Sequence, residues 1–162
     1  MAGDAVERFR AQVEHLDIEP QVQRFPEGTR TAADAAAAIG CEVAAIVKSL
    51  VFVAVSDGDA DEPVLVLTSG ANRVDVVLAA HALGVDRLRR ADADTVRAAT
   101  GFAIGGTPPF GHAGPLRTVV DEDLLVHEVV WAAAGAPDAV FPVEPQHLLV
   151  LSGAPAARVA ET

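Results

Sequence analysis

Lysine is almost absent from this chain. Of its twelve basic residues eleven are arginine, and the one lysine is Lys48. Cysteine is as scarce: Cys41 stands alone, which excludes an intramolecular disulfide framework and leaves a cysteine-based zinc site short of ligands. Long apolar runs are missing too. Although 51 % of the residues are hydrophobic, the stretch from Val43 to Val55 is interrupted by Lys48 and Ser49, short of the roughly 18 residues a membrane span needs. The opening residues MAGD lack the basic start and apolar run of a signal peptide. The expectation is a soluble, cytoplasmic protein that does not enter a membrane. Basic charge is in deficit: 23 acidic residues against 12 basic ones give a net charge of −11. Such a chain repels nucleic acid overall, so a nucleic-acid contact needs a local basic patch and few phosphates. Arg87, Arg89, Arg90 and Arg97 form one candidate patch, the alternative being a solvated surface with scattered arginines.

What is present suits one domain over residues 1–162, long enough to bury about two thirds of its unfolded surface. No internal repeat, linker or low-complexity segment interrupts it beyond an alanine bias. Val6, Phe9, Val13 and Leu16 recur at helical spacing over residues 4–16. Residues 21–25 suit a short strand. Thr31 and Asp34 read as an N-terminal cap, followed by an alanine-rich helix to Ile39 and a C-terminal Gly40. A second short helix is expected over 42–47, then strands over 50–55 and 64–68 joined as a hairpin by a long acidic loop. Asn72 is expected to cap a helix ending at Gly84. A strand over 85–88 precedes a helix opened by Asp92 or Asp94 and running to Thr100. Beyond a Gly/Pro-rich segment, strands are expected over 116–120, 127–133 and 139–143, with a turn or short helix at 121–125 and a last helix over 144–151. Interspersed strands and helices with hairpin-like pairs predict an α/β domain with a mixed sheet.

Two segments could carry chemistry. Lys48 lies in AAIVKSLVFVAV, at an expected helix-to-strand junction among apolar neighbours. It is either a snorkelling lysine or a partner for a carboxylate, or else an ammonium presented to an anion or a polarised carbonyl. A lysine that persists among arginines suits a role needing a compact ammonium whose pKa can shift. The segment GFAIGGTPPFGHAGP is either a tight structural turn or a loop whose N–H groups hold an oxyanion or carbonyl. It has neither a GK[ST] ending nor a GxGxxG pattern. His15, His81, His112, His127 and His147 show no paired metal spacing, and His112 is the one that follows the glycine loop. Ser49 adjoins Lys48, but strand neighbours point to opposite faces, which argues against a Ser–Lys dyad. Cys41 follows a glycine near a helix start, where its pKa could be lowered, or it is a small core residue. Asp121, Glu122 and Asp123 suit a helix cap.

Taken together, TAADAAAAIG, VAAIVKSLVF, SGANRVDVVLAAHALG, GGTPPFGH and the late VVWAAAG resemble the YbaK/ProX family of trans-editing aminoacyl-tRNA deacylases, which is related to the editing insertion of bacterial prolyl-tRNA synthetases. The resemblance covers about residues 20–152. It implies an α/β fold with a mixed, barrel-like sheet surrounded by helices, and hydrolysis of the ester between a wrong amino acid and the tRNA 3′ end. It implies Lys48 as the catalytic residue. Thr31, Gly105, Gly106, Pro109, Gly111, His112 and Gly135 are taken with it as substrate-binding positions. It implies no metal or organic cofactor, the acceptor end of mischarged tRNA as substrate, and prolyl-tRNA synthetase as a candidate partner. The stretch APDAVFPVEP after Gly135 departs from both cysteine- and alanine-specific relatives, which leaves the amino acid removed open. A non-catalytic small-ligand or protein-binding module on the same fold is the alternative.

Overall fold

The computed structural model describes residues 4–25 and 31–162; of the opening residues read for a signal peptide, the first three lie outside the described residues. Helix α1 (Ala5–Val13) starts at Asp4, whose side chain accepts from the Val6 amide. Of its predicted apolar stripe, Val6, Phe9 and Val13 are fully buried, whereas the helix expected to residue 16 gives way to a 3-10 turn over Glu14–Leu16 that leaves Leu16 only partly buried. Phe9 packs on Phe110 and Phe141 with ring centroids 6.0 and 5.1 Å away, so three distant parts of the chain meet in one aromatic cluster. Phe9→Ala is expected to lower stability by roughly 3–5 kcal/mol, read from the urea midpoint.

Strand β1 (Gln23–Arg24) is short. Helix α2 (Ala32–Ile39) begins as predicted: the Thr31 hydroxyl accepts from the Asp34 amide at 3.0 Å, and Gly40 ends it in the left-handed region. The helix expected over 42–47 is a single 3-10 turn, Val43–Ala45. Strand β2 (Val47–Val55) starts earlier than expected and takes in Lys48. It pairs antiparallel with β3 (Glu62–Ser69), Lys48 opposite Thr68. This pairing gives the branched residues of 47–55 a ladder, and it overrides the weaker helical tendency before it.

Helix α3 (Val76–Leu83) is capped by Asp75, which accepts from the Val77 and Leu78 amides. The expected cap, Asn72, lies too far upstream for that role and turns elsewhere. Strand β4 (Arg87–Arg90) falls two residues later than expected, in register with Phe52–Val55 of β2. Helix α4 (Ala93–Thr100) is opened by Asp92. Strand β5 (Arg117–Asp121), β6 (Val130–Ala133), β7 (Ala139–Val143), helix α5 (Pro145–Ser152) and the short β8 (Ala156–Ala157) complete the order. The turn or short helix expected at 121–125 is a 3-10 helix, Glu122–Val126, and the strand expected from residue 127 starts only at Val130.

The strands form two sheets, β4-β2-β3-β5-β8 and β1-β7-β6. The large sheet is mixed: β2 lies antiparallel to β3 and β4, whereas β3 and β5 are parallel. The mixed α/β expectation holds. A barrel-like closure is not confirmed: among the described residues both sheets have open edges, and a single bridge, Ile46 to Trp131, links them. Val64, Leu65, Val66 and Leu67 of the central strand are fully buried, which is why that strand reads as a continuous apolar run rather than an alternation. Among the described residues no helix is long and apolar enough to cross a membrane.

Candidate active site

The pairing of β4 stops at Phe52, leaving the first half of β2 without a β4 neighbour. A cleft of about 570 Å³ opens there, between α2, the start of β2, the Gly/Pro-rich loop and β6. Its size falls within the range of roughly 300–1,000 Å³ usual for small-molecule sites. The walls are mostly apolar, with Ala32, Ile46, Leu50, Ile104 and Trp131 among them. Among the described residues Lys48 is the one charged group lining it. The chain as a whole carries 23 acidic residues, yet none of the cleft's described lining residues is one of them.

Lys48 is half-buried, and its Nζ donates to the Asn72 carbonyl at 2.7 Å. An ammonium carries three protons, so two remain for a ligand. Burial lowers its pKa below the ordinary value of 10.5; the nearby positive charge of Arg73 lowers it further, and Asp121 opposes both. The Asn72 carbonyl is itself held in place. Asn72 Nδ2 donates to Asp121 Oδ2 at 2.9 Å and to Asp123 Oδ2 at 2.8 Å. Asp121 is fully buried. Its Oδ2 also accepts from Thr68 Oγ1 at 2.9 Å and the Ser69 amide at 3.0 Å, while Oδ1 caps the following turn through the Asp123 amide at 3.0 Å. Asp121 is thus a cap, as its sequence setting predicts, and additionally the anchor of the loop that grips Lys48.

The other expected positions divide. Thr31 and Gly105 line the cleft beside Lys48. Gly106 and Gly135 lie behind the wall, where the two loops cross: a Cβ on Gly106 would sit 2.8 Å from the Gly135 carbonyl oxygen. Gly135 has φ +107°, and its own Cβ would meet the Ala5 carbonyl oxygen at 2.6 Å. Close approach requires a glycine at both positions, and backbone conformation requires it again at Gly135. Gly106→Ala is expected to displace the loop and lower both thermal stability and ligand binding, checked by melting and titration on the same preparation.

Pro109, Gly111 and His112 are not brought to Lys48. The chain bends back after Thr107, and these three line a separate hollow of about 210 Å³ with Gln12 and His15. His112 Nε2 lies 2.7 Å from the Pro108 carbonyl oxygen, and burial lowers the ring's pKa while that contact opposes it. Cys41 also departs from the reactive reading. Burial pushes its thiol pKa up, and it packs against the small cluster around Ala35, Ala36 and Ile46.

Ser49 lines the cleft as well as Lys48. Strand alternation separates their side chains, although both residues border the cleft at the strand's edge. Ser49 Oγ is buried and is the one such side-chain polar atom without a hydrogen-bond partner among the described residues, so it does not form a dyad with Lys48. No motif or spacing singles out this hydroxyl, Trp131 or Ile104; only the folded arrangement does. Among the described residues no group of three or more His, Cys, Asp or Glu side chains is arranged to hold a metal ion.

An apolar cleft around a single lysine, on a mixed α/β fold, is the setting in which the comparisons with known proteins fall. The model of the aminoacyl-tRNA editing domain matches residues 26–151, and the chain belongs to that family. It is similar to a crystal structure described as a candidate trans-editing enzyme for prolyl-tRNA synthetase, with 43 % identity, a TM-score of 0.89 and 100 % of each chain covered. It is 28 % identical over 130 residues to the uncharacterised protein YwhH of Bacillus subtilis, covering 80 % of each. It is 33 % identical over 125 residues to the proline–tRNA ligase of a Geobacter species, covering 76 % of this chain and 21 % of the ligase. The matched region therefore spans about a fifth of that ligase.

Proposed function

We infer that this protein is a trans-editing hydrolase that cleaves the ester of mischarged aminoacyl-tRNA, with tRNA(Pro) carrying a small wrong amino acid as its substrate. The observation that carries this reading is the lone Lys48 ammonium in a largely apolar cleft whose described lining holds no carboxylate. The family membership and the match to proline–tRNA ligases point the same way. The synthetase pocket distinguishes small apolar side chains by only about 1–3 kcal/mol per methylene, which creates the need for a second, hydrolytic site.

Among the described residues the cleft's lining holds no histidine, cysteine or carboxylate to act as nucleophile or general base. The attack on the ester carbonyl then comes from water or from a group of the substrate itself. The free Nζ–H groups of Lys48 stabilise the oxyanion of the tetrahedral intermediate. When water attacks, collapse of that intermediate breaks the bond to the ribose oxygen, which leaves with the proton the water released. The products are the free amino acid and intact tRNA. Thr31, Gly105 and the apolar walls limit the volume open to the amino-acid side chain, and prolyl-tRNA synthetase is the partner that would supply the misacylated substrate.

The test is release of amino acid from tRNA(Pro) charged separately with Ala, Cys, Ser and Pro. Release of one of the wrong amino acids, with Pro retained, is the expected result and names the specificity. Retention of all four by folded protein would favour a ligand-binding module instead.

A further inference from the structure

The chain after α5 lines no part of the cleft, yet it lies against the loop that grips Lys48. It first runs along β5 as β8, with Ala157 opposite Asp121 and the Val120 amide donating to the Pro155 carbonyl at 2.9 Å. It then meets the loop between β3 and α3, where Ala160 forms an antiparallel bridge with Val74. The Asp75 amide donates to the Val159 carbonyl at 2.7 Å, and the Glu161 amide donates to the Arg73 carbonyl at 2.8 Å. Val159 is fully buried in a cluster with Val64, Val66, Leu83 and Val119, so this segment is seated in the core. It thereby joins the two parts of the Lys48 grip, the strand that ends in Asp121 and the loop that carries the Asn72 carbonyl. It also lies beyond residues 26–151, the span matched to the editing domain.

We propose that residues 155–161 form a strap that positions the Lys48 ammonium by fixing the direction of the Asn72 carbonyl. The proposal rests on the editing reading above and adds a segment that reading does not use. The bonds from Asn72 Nδ2 to Asp121 and Asp123 tether a side chain, whereas a carbonyl is aimed by the planar peptide units on either side of it. Upstream, the Asn72 amide closes a turn onto the Ser69 carbonyl at 3.0 Å. Downstream, the strap takes the next carbonyl, that of Arg73, and the amide of Asp75. The Asn72 carbonyl is clamped between turn and strap. It engages one ammonium proton of Lys48 and leaves two for a ligand. A misplacement of about 1 Å can cost on the order of 10²-fold in rate, so a looser clamp lowers kcat.

Glu161→Pro removes the N–H that holds Arg73 and leaves Val159 unchanged; deletion of residues 159–162 removes both bonds to the loop. Glu161→Ala keeps the N–H and is the matched comparison. Lys48 is the only lysine in the chain, so isotopic labelling of lysine nitrogen gives a single Nζ signal. Exchange of its protons with water should be several times faster in Glu161→Pro and in the shortened chain, and unchanged in Glu161→Ala. On the mischarged tRNA that the unmodified protein hydrolyses, Glu161→Pro should lower kcat by roughly tenfold with KM little changed. The same substitution should leave the residual rate of Lys48→Ala as it is, since both changes act through one group. Equal exchange in folded Glu161→Pro and unmodified protein would overturn the proposal, as would an unchanged kcat or an equal loss in the Lys48→Ala background. Should the unmodified protein hydrolyse no mischarged tRNA, the editing reading fails, and proton exchange alone decides whether the strap holds Lys48.

Discussion

Asp121→Ala is expected to destabilise the protein by roughly 3–4 kcal/mol and to impair the site together with the fold. The carboxylate is fully buried and accepts from Thr68, Ser69, Asn72 and Asp123. Truncation leaves buried donors unsatisfied, which costs more than the net worth of the bonds lost. For a chain of this length the melting temperature should fall by on the order of 10 °C. Asn72 also loses its tether, so the carbonyl that holds the Lys48 ammonium is freed. Asp121→Asn keeps the shape but turns one oxygen into a donor facing donors, and a smaller loss of stability is expected. Calorimetry on both variants, with hydrolysis measured well below their melting points, separates the two effects. A melting temperature unchanged in Asp121→Ala would mean that the network is not a support.

Lys48→Ala is expected to lower kcat/KM for ester hydrolysis by about 10²-fold or more, the usual scale for losing an oxyanion donor. The fold should survive, since the ammonium makes one hydrogen bond, to a loop carbonyl. Lys48→Arg should not restore activity, because a guanidinium is larger and planar where the cleft receives a compact ammonium. The lysine pKa is lowered chiefly by burial, and the sign of two pH effects follows. Activity that needs the ammonium should decline on the alkaline side at a pH below the ordinary value of 10.5. In the interval between the lowered and the ordinary pKa the unfolded chain binds more protons, so this residue's contribution to stability rises with pH there. Below both values its penalty is constant. An alkaline limb identical in the unmodified protein and a residually active Lys48→Ala variant would remove Lys48 from the chemistry.

Much of the framework is legible in local sequence. The stripe of Val6, Phe9 and Val13 and the Thr31 and Asp92 caps are local signals, and each falls where the spacing puts it. What escapes depends on residues far apart. Lys48 reads as a helix-to-strand junction in its own neighbourhood, but pairing with Thr68 carries the strand back to Val47. Asn72 looks like a helix cap from its local setting; a carboxylate 49 residues later claims its amide instead. Ser49 illustrates the limit of periodicity. Alternation correctly separates it from Lys48, yet says nothing of a cleft at the strand's edge that meets both. The Gly/Pro-rich loop is legible as a special segment but not as one with two destinations. Gly105 faces the cleft, whereas Pro109, Gly111 and His112 line the hollow beside α1. That division follows from packing of Phe110 on Phe9 and Phe141, a contact no linear pattern contains.

The central claim is that the Lys48 cleft hydrolyses an aminoacyl ester on tRNA. Single-turnover release of amino acid from mischarged tRNA(Pro), with unmodified protein and Lys48→Ala side by side, tests it most directly. The expected result is first-order release of a wrong amino acid by the unmodified protein, and release by the folded variant slower by about 10²-fold or more. Equal rates for the two proteins, or no release by either, would contradict it.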